Sequence, residues 1–364
     1  MLSVARAFET RGDSVRFSSS GDAVTLIRKQ GYQCSSLPIV DVSWKEEDGR
    51  FSPMDTARSF PLNAGRFTTQ IREEARNILS FGADSVLSDS MMATVIAARL
   101  AKAGRVVTVL NQLRLLSSRR TPRVASSMIS AGSVSVGAAL WGLSDIVLLP
   151  DLPEPYTISE RNLWASGSAK KSRYVGFLTP PEDQTRNPIA EVATEEERRL
   201  KVYWQISGPS KTRGPLLSAA FRIADSMKER VFSIVSGGDP AGGVEPTRMP
   251  FGWFYEWCPS KDSVIKMADL VLSRAGHTSI AQYVLNEKPS LLVPIPQQTE
   301  QEGNASKAER LGIAVQVSQE SLSPETFSEA AERLLDARVK RKLREVSAVA
   351  RGLDAKAEIL RAIG

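Results

Sequence analysis

Histidine and cysteine are almost absent from this chain of 364 residues, which has one histidine and two cysteines. A lone histidine, His277, excludes a His-rich metal site and a catalytic pair of histidines. Cys34 and Cys258 lie far apart without a pairing pattern, which favours a reducing compartment and offers no metal cluster. Long uncharged runs are scarce as well. The stretch from Val124 to Leu143 has five serines and three glycines, which makes it too polar to predict a membrane span.

Charge is distributed unevenly along the chain. The first 178 residues carry 22 basic and 16 acidic side chains, whereas the remainder carries 25 of each. A basic first half beside a neutral second half indicates an anionic partner for the first half, with a solvated basic face as the alternative. Nucleic acid, an acidic membrane surface and a phosphorylated acceptor are all compatible with this charge.

Helix-like and strand-like segments alternate through both halves. Short apolar runs such as Ser85 to Ser88, Val106 to Leu110 and Ile146 to Leu149 follow helical stretches that end near glycine. The pattern predicts an α/β protein of two Rossmann-like, doubly wound domains with parallel sheets, facing each other across a cleft where ligands bind. We assign residues 1–178 to the first domain, 179–200 to a linker, 201–348 to the second domain and 349–364 to a C-terminal helix.

Further elements follow from the same start and stop signals. They include a strand near Leu37 to Val40, a helix over Leu216 to Met227 and a helix near Asn304 to Leu311. We predict these bounds from sequence pattern alone.

The segment from Ala268 to Gln282 carries the clearest chemical signal. Its apolar strand, Leu270 to Ser273, runs into a small-residue turn that opens a helix. The first amides of a helix have no partner within it and lie at the positive end of its dipole, so they suit a diphosphate. Gly276 would let the backbone approach closely, and Thr278 and Ser279 can cap the helix or touch phosphate. An ordinary capped helix is the alternative.

Two later segments complete the pattern. The stretch Lys288-Pro289-Ser290-Leu291-Leu292-Val293-Pro294 predicts a buried strand, and it leads to a carboxamide-rich stretch that ends at Ala305. In order and spacing, the segments from Asp269 to Ala305 resemble the donor domain of GT-B glycosyltransferases. The resemblance is greatest to family 28, the branch that contains the peptidoglycan N-acetylglucosaminyltransferase.

The resemblance implies roles for individual residues. Gln282 stands where many relatives have a glutamate that binds the ribose, and Glu302 stands where the peptidoglycan enzyme has a second glutamine, so the nucleotide and sugar stay open. The implied donor site comprises a diphosphate turn of Ala275, Gly276, His277, Thr278 and Ser279, a ribose contact at Gln282, a uracil contact at the backbone of Trp257 and Cys258, and a sugar site with Gln301, Glu302 and Asn304.

Two glycine-rich loops could also face the donor. The loop from Ile206 to Gly214 resembles the family's Gly-rich donor-domain loop, with a plain strand-to-helix turn as the alternative. The resemblance implies donor contacts from Gly208, Ser210, Lys211 and Arg213. A second loop, Ser236 to Gly243, is compatible with phosphate but lacks an ordered motif.

The first half resembles the acceptor domain of the same family more loosely. A strand ends at Ser88-Asp89, and the resemblance makes Asp89 a catalytic candidate, with a helix N-cap as the alternative. The leucine-rich stretch from Asn111 contains Arg114, Arg119, Arg120 and Arg123. These arginines suit a lipid phosphate or an anionic membrane surface, and a solvated basic loop is the alternative.

The resemblance as a whole implies a cell-envelope glycosyltransferase. Its activity would be inverting, metal-independent transfer of a sugar, with N-acetylglucosamine as the first candidate, from a UDP-sugar to a lipid-linked or glycan hydroxyl. No cofactor and no nucleic-acid partner are expected, and the expected location is the cytoplasm, at the inner face of the cell membrane. A nucleotide-sugar hydrolase or epimerase on the same fold and a non-catalytic sugar-nucleotide-binding subunit are the alternatives.

The resemblance also bears on the start of the chain. Family members open with a strand and a Gly-x-Gly-His loop before a helix like Leu2 to Thr10, so we expect this strand and its histidine to lie upstream of Met1. His277 falls in the predicted phosphate turn, which leaves no other side chain whose ordinary pKa is near neutrality to act as a base. We therefore expect the 364-residue form to be poorly active.

The basic stretch generates the first testable prediction. Replacing Arg114, Arg119, Arg120 and Arg123 by glutamine should abolish co-sedimentation with anionic liposomes at low salt, because each charge near the surface contributes about 1 kcal/mol. Unchanged sedimentation of the fourfold variant, or no sedimentation of the parent, would contradict the membrane assignment.

Overall fold

The computed structural model describes residues 1–40, 45–47, 50–52, 64–110, 139–163, 171–180, 198–208 and 210–364. Arg114, Arg119, Arg120 and Arg123 lie outside these ranges, as do the side chains of Ser210 and Lys211. Within the described ranges, no helix is long and apolar enough to cross a membrane.

The first part of the chain alternates helices with short strands. Its helices are α1 Leu2–Arg11, α2 Asp22–Lys29, α3 Ala64–Phe81, α4 Met92–Leu100 and α5 Glu160–Leu163. Its strands are β1 Phe17–Ser19, β2 Cys34–Ser36, β3 Lys45–Glu47, β4 Arg50–Ser52, β5 Ser85–Asp89, β6 Arg105–Val109, β7 Ile146–Leu149 and β8 Ser172–Tyr174. Strands β5 to β8 form a parallel sheet in sequence order, β1 pairs with β2 in parallel, and β3 and β4 form an antiparallel hairpin.

The four-stranded sheet is covered on both faces, which explains its continuous apolar strands. Ile78 of α3 and Val95 of α4 pack on one face. Phe8 of α1 packs on the other face. Among the described strands, β1 and β2 pair only with each other.

The second part of the chain forms a larger sheet. Its helices are α6 Ser210–Ser226, α7 Lys261–Met267, α8 His277–Leu285, α9 Thr299–Arg310, α10 Pro324–Leu335, α11 Ala337–Arg351 and α12 Ala355–Ile363. Its strands are β9 Leu200–Gln205, β10 Val231–Ser236, β11 Thr247–Met249, β12 Gly252–Tyr255, β13 Leu270–Ser273, β14 Ser290–Leu292 and β15 Ala314–Gln316. The strand order is β11-β12-β10-β9-β13-β14-β15.

Period-two alternation along these strands separates two cores. Tyr203 and Val271 face one core, whereas their neighbours Trp204 and Leu272 face the other. Trp204 is fully buried and stacks on Phe327 of α10, with ring centroids 5.1 Å apart. Burying one such side chain contributes about 1.5–3 kcal/mol, so both faces of the sheet are strongly anchored.

Several predicted bounds need correction. Helix α6 begins at Ser210 rather than Leu216, and Pro215 lies inside it. Pro215 is the sixth residue of this helix, beyond the first amides that have no helical partner, so its missing N–H removes one helical hydrogen bond. Helix α9 begins at Thr299 rather than near Asn304, and the strand expected near Leu37 lies at Cys34–Ser36. The larger sheet, of the second part of the chain, is also not purely parallel, because its edge strand β11 runs antiparallel to β12.

The last helix returns to the first part of the chain. Ile359 and Ala362 of α12 are buried in one cluster with Val4 and Phe8 of α1. Arg105 Nε donates to the carbonyl oxygen of Ala362 (2.9 Å). The chain therefore crosses between its two sheets a second time, and α12 contributes to the core of the first one.

Candidate functional site

Six strands of the large sheet run in the same direction, so the loops that follow them meet at one edge. Gly208 follows β9, Trp257 follows β12, Ala275 follows β13 and Gln301 lies beyond β14. Ligands of open α/β sheets bind at this carboxyl edge. The topology therefore brings the predicted donor residues of four separate segments to one edge.

The turn before α8 presents open amides. Gly276 is the N-cap, with φ −68° and ψ 136°, and no side chain caps the helix. The first helical hydrogen bond runs from Ile280 N to Gly276 O (3.1 Å), so the amides of His277 to Ser279 precede it. Thr278 is exposed and Ser279 is half-buried. This arrangement supplies the N–H groups and the positive dipole end that favour an anion.

Arg274 lies directly under this turn and is 1% exposed. Its Nη2 donates to Thr212 O (2.6 Å) and to Gln319 Oε1 (2.6 Å). Its Nη1 donates to Val293 O (3.2 Å) and Pro294 O (3.4 Å). One guanidinium thus ties α6 and the loops after β14 and β15 to the end of β13.

The polar residues of α9 brace the turn from the other side. Asn304 is fully buried, and its Nδ2 donates to Ala275 O (3.2 Å), while its Oδ1 has no hydrogen-bond partner. Gln301 is 9% exposed and its Oε1 accepts from Ile295 N (3.1 Å). Glu302 is half-buried in the first turn of α9. Gln301 therefore fixes the loop after β14 through its side-chain oxygen, and only its side-chain nitrogen, Nε2, is left to bind a sugar.

The predicted nucleoside contacts lie on α7, α8 and the loop after β12. Gln282 is buried, and its Nε2 donates to Asp262 Oδ1 at the start of α7 (3.1 Å). Trp257 is 40% exposed, and its amide donates to Gly243 O (3.1 Å). Cys258 is buried, and its thiol is not part of a disulfide. The residue expected to bind the ribose is thus paired with a carboxylate that sequence reasoning did not single out.

The glycine-rich loop after β10 packs tightly against its neighbours. Gly238 has φ +67°, and a Cβ added there would lie 2.2 Å from Ile206 O. Gly243 N donates to Glu256 Oε2 (2.5 Å). Arg213 donates to Gly238 O, and its guanidinium lies 3.8 Å from Asp239. Arg213, expected to face the donor, is therefore bound to this loop, and Gly208 has φ +106° beside Thr212.

His277 contacts the first part of the chain across the two sheets. Its Nε2 lies 3.1 Å from Oδ2 of Asp151, which follows β7. The ring is 8% exposed, and Phe177 packs edge-on against it with ring centroids 5.7 Å apart. Burial raises the pKa of nearby Glu300, and the electrostatic interaction with His277 partly offsets this rise. The diphosphate candidate turn is therefore lined by residues of both parts.

Asp89 ends β5 in the smaller sheet, as predicted. Its side chain is exposed, yet desolvation by the protein around it raises the pKa of the carboxyl above its ordinary value. Ser90, the next residue, has φ +56°. A carboxylate with a raised pKa is a stronger base than an ordinary one, which suits a proton acceptor.

Three residues in or beside the candidate site were not predicted as site residues from the sequence: Arg274, Asp151 and Asp262. Arg274 had a local signal, because a charged residue directly after the apolar strand Leu270–Ser273 is unusual unless it is paired. The partners of Asp151 and Asp262 are distant in sequence, so no local pattern identifies them. In the described part of the chain, no three His, Cys, Asp or Glu side chains are grouped closely enough to hold a metal ion.

Comparison with known proteins finds similarity to glycosyltransferases. Residues 253–358 match the Glycosyltransferase family 28 C-terminal domain. An uncharacterized glycosyltransferase of Methanopyrus kandleri is 24% identical and covers 89% of both chains. The UDP-N-acetylglucosamine--N-acetylmuramyl-(pentapeptide) pyrophosphoryl-undecaprenol N-acetylglucosamine transferase of Gloeobacter violaceus is 29% identical over 49% of this chain and 50% of its own length.

Solved structures of GT-B glycosyltransferases share the whole fold. The glycotransferase of kitacinnamycin superposes with a TM-score of 0.70 at 14% identity, covering 100% of this chain and 95% of that one. The spinosyn rhamnosyltransferase SpnG, complexed with thymidine diphosphate, also gives 0.70, at 13% identity, covering 99% and 95%. At such identities the likeness shows the fold, with two Rossmann-like domains.

Arg274 generates the next prediction. Replacing it by methionine should lower the free energy of unfolding by about 2–4 kcal/mol, because buried carbonyl oxygens lose their donor. Urea titration followed by tryptophan fluorescence measures this, since Trp204 is fully buried on β9, which pairs with β13 just before Arg274. Exposed Arg248, which packs over Trp253 at the edge of the same sheet, gives the matched control, and Arg248→Met should cost about 1 kcal/mol or less. Equal losses in the two variants would contradict the role of Arg274.

Proposed function

We propose that this chain, a glycosyltransferase of the GT-B fold with a family 28-like C-terminal domain, transfers a sugar from a UDP-sugar to a lipid-linked or glycan hydroxyl. The reaction is a single inverting displacement without a metal ion or cofactor. N-acetylglucosamine is the first candidate for the sugar. The acceptor hydroxyl loses its proton to a carboxylate while the turn before α8 stabilises the departing diphosphate.

The observation that carries this proposal is the unsatisfied polar edge at the start of α8. The amides of His277 to Ser279 precede the first helical bond, and the buried Asn304 Oδ1 beside the turn has no partner. Buried polar atoms usually have a partner, so an orphaned oxygen beside open amides points to a missing polar ligand. A sugar diphosphate supplies both oxygens for the amides and hydroxyl donors for a carboxamide oxygen.

The nucleoside part of the donor lies beyond the turn in this proposal. Asp262 and Gln282 form a hydrogen-bonded pair on α7 and α8, and together they offer acceptors and a donor to ribose hydroxyls. The half-exposed loop at Trp257 leaves backbone groups for the base. The relatives support a nucleotide sugar, because one of them is a UDP-N-acetylglucosamine transferase and one solved structure of a similar fold is a complex with thymidine diphosphate.

Asp89 is the proposed base. It ends a strand of the first sheet, and its raised pKa lies closer to neutrality than that of an ordinary aspartate. His277, the only histidine, is turned towards Asp151 within the donor turn. It therefore serves the donor side of the reaction, and the carboxylate is the available proton acceptor.

The cellular setting follows from the same proposal. A lipid-linked acceptor places the enzyme at the inner face of the cell membrane, in contact with anionic lipid through the basic first half. The net surplus of six basic residues before position 179 favours such contact. We propose no nucleic-acid partner.

Ligand binding and product analysis test the proposal together. Thermal unfolding should shift upward with UDP and UDP-sugars and less with GDP, because a ligand that binds only the folded state stabilises it by mass action. A radiolabelled UDP-sugar should then yield glycosylated lipid product. Free sugar released without acceptor would favour a hydrolase, an isomerised nucleotide sugar would favour an epimerase, and binding without turnover would favour a non-catalytic subunit.

Gly276 generates a sharp prediction for the donor turn. A Cβ at this position meets only Ser279 Oγ, at 3.9 Å, so Gly276→Val should fold normally. It should weaken binding of UDP and UDP-sugar by about 1–3 kcal/mol, because the added side chain blocks access to the amides. Gln301→Ala should weaken binding of the UDP-sugar by a similar amount and leave binding of UDP unchanged. Calorimetric titration measures both.

Gly238→Val is the matched control for the turn. Here the Cβ would lie 2.2 Å from a backbone oxygen at positive φ, so this variant should lose stability. If Gly276→Val and Gln301→Ala both bind UDP and the UDP-sugar as the parent does, the donor site is misplaced.

Asp89 generates a pH prediction. A base works in its ionised form, and desolvation by the surrounding protein raises the pKa of this carboxyl, so the rate should fall as pH falls through a value above the ordinary 3.9 or so. Asp89→Asn should lower kcat by about 10²–10⁴-fold with unchanged UDP affinity and should remove this acid limb. Exposed Asp84, which directly precedes β5, gives the control. Asp84→Asn should leave kcat and the acid limb of the pH profile unchanged. An Asp89→Asn enzyme with the parent's rate and pH profile would exclude Asp89 as the base.

A further inference from the structure

Asp151 is a fully buried carboxylate around which a loop of the first domain folds. Its Oδ1 accepts from Leu152 N (2.7 Å) and Ile158 N (3.0 Å), and its Oδ2 accepts from Ser159 N (2.7 Å). Three charge-assisted bonds from backbone amides fix the position of the carboxylate. The loop therefore holds this negative charge at a defined point, out of contact with water.

The same Oδ2 faces the donor turn of the second domain. His277 Nε2 lies 3.1 Å from it, which is within ion-pair distance, although the angle does not complete a hydrogen bond. Phe177 packs edge-on against the imidazole and closes its other approach from the first domain. The first residue of α8 is thus enclosed by residues of the first domain.

We infer that Asp151 is a positioning residue for donor binding: it holds the His277 ring so that the first domain completes the diphosphate subsite of the second. The inference rests on the proposed donor function. Asp151 acts only through His277, whose backbone amide belongs to the open edge of the turn.

The chemistry of imidazole explains the effect. A carboxylate beside Nε2 keeps a proton on that nitrogen, so the ring has a defined orientation and protonation at Nε2. The second nitrogen, Nδ1, is then the remaining hydrogen-bonding atom of the ring. Glu300 also interacts electrostatically with His277, so the ring responds to both carboxylates.

A second contact between the domains makes it possible to distinguish positioning of His277 by Asp151 from a contact that only holds the domains together. Glu160 of α5 pairs with Lys307 (3.0 Å) and Arg310 (2.8 Å) of α9. This ion pair joins the same two domains without touching the donor turn, and Glu160 is 37% exposed. Its loss should affect docking of the domains alone, which makes Glu160→Gln the matched control.

A double-mutant cycle on UDP affinity tests the inference. Asp151→Asn and His277→Asn should each weaken UDP binding about tenfold, and the double variant should also be about tenfold weaker rather than a hundredfold. Glu160→Gln should bind UDP as the parent does. Additive losses, or unchanged affinity in Asp151→Asn, would overturn the positioning role.

Nuclear magnetic resonance of the single histidine gives a readout that needs no variant. With one histidine in the chain, ¹⁵N-labelled histidine reports one imidazole. We expect a proton on Nε2 in the parent and a shift of the Nδ1 signal when UDP is added. An unprotonated Nε2, or a ring unaffected by bound UDP, would overturn the inference even if Asp151→Asn fails to fold.

The two proposals fail in different ways. If the parent binds neither UDP nor a UDP-sugar by calorimetry, the donor function is wrong and the inference falls with it. A parent that binds UDP can instead show additive losses of affinity in the double-mutant cycle, or an imidazole signal that does not change with UDP. In that case the donor function stands and only the role of Asp151 is wrong.

Discussion

The buried guanidinium of Arg274 is the interaction on which the donor side depends. It binds backbone or side-chain oxygens of α6 and of the loops after β14 and β15, and it lies directly before the turn of Ala275 and Gly276. Burying a cation without partners is prohibitive, so these loops must converge on it for the domain to fold. The turn is thereby held rigidly, and its amides can stay open to solvent without collapsing onto other groups.

Two glycines in this edge show how folding and binding requirements are separated. Gly238 is required by the fold, because its φ is positive and a Cβ would collide with Ile206 O. Gly276 has an ordinary φ, and a Cβ there would make only an ordinary van der Waals contact with Ser279 Oγ, at 3.9 Å. A small residue that packing does not demand is best explained by something outside the protein that approaches the backbone. The open amides of His277 to Ser279 directly follow this glycine.

The sequence predicted the local elements well and the long-range ones poorly. Strand Leu270–Ser273 has the predicted bounds, because a continuous apolar run determines it locally. The donor turn could be located for the same reason, since its motif is contiguous. The pairing of Gln282 with Asp262 depends on two helices that meet only in the fold, and the division of the first domain into separate sheets depends on strand pairing. Neither the pairing of Gln282 with Asp262 nor the division into sheets produces a periodic pattern in the sequence.

Asp151 extends this contrast to function. Its carboxylate is satisfied by amides of its own loop, so the local sequence has a sufficient structural reason for an aspartate there. The remaining face of Oδ2 meets His277, whose position is set by Arg274 and β13 in the other domain. A charge fixed in one domain thus contacts a ring fixed in the other, and small changes in the angle between the domains alter that contact steeply in a site shielded from water. Donor binding and domain arrangement are therefore coupled through one short contact, which a sequence pattern in either domain alone cannot reveal.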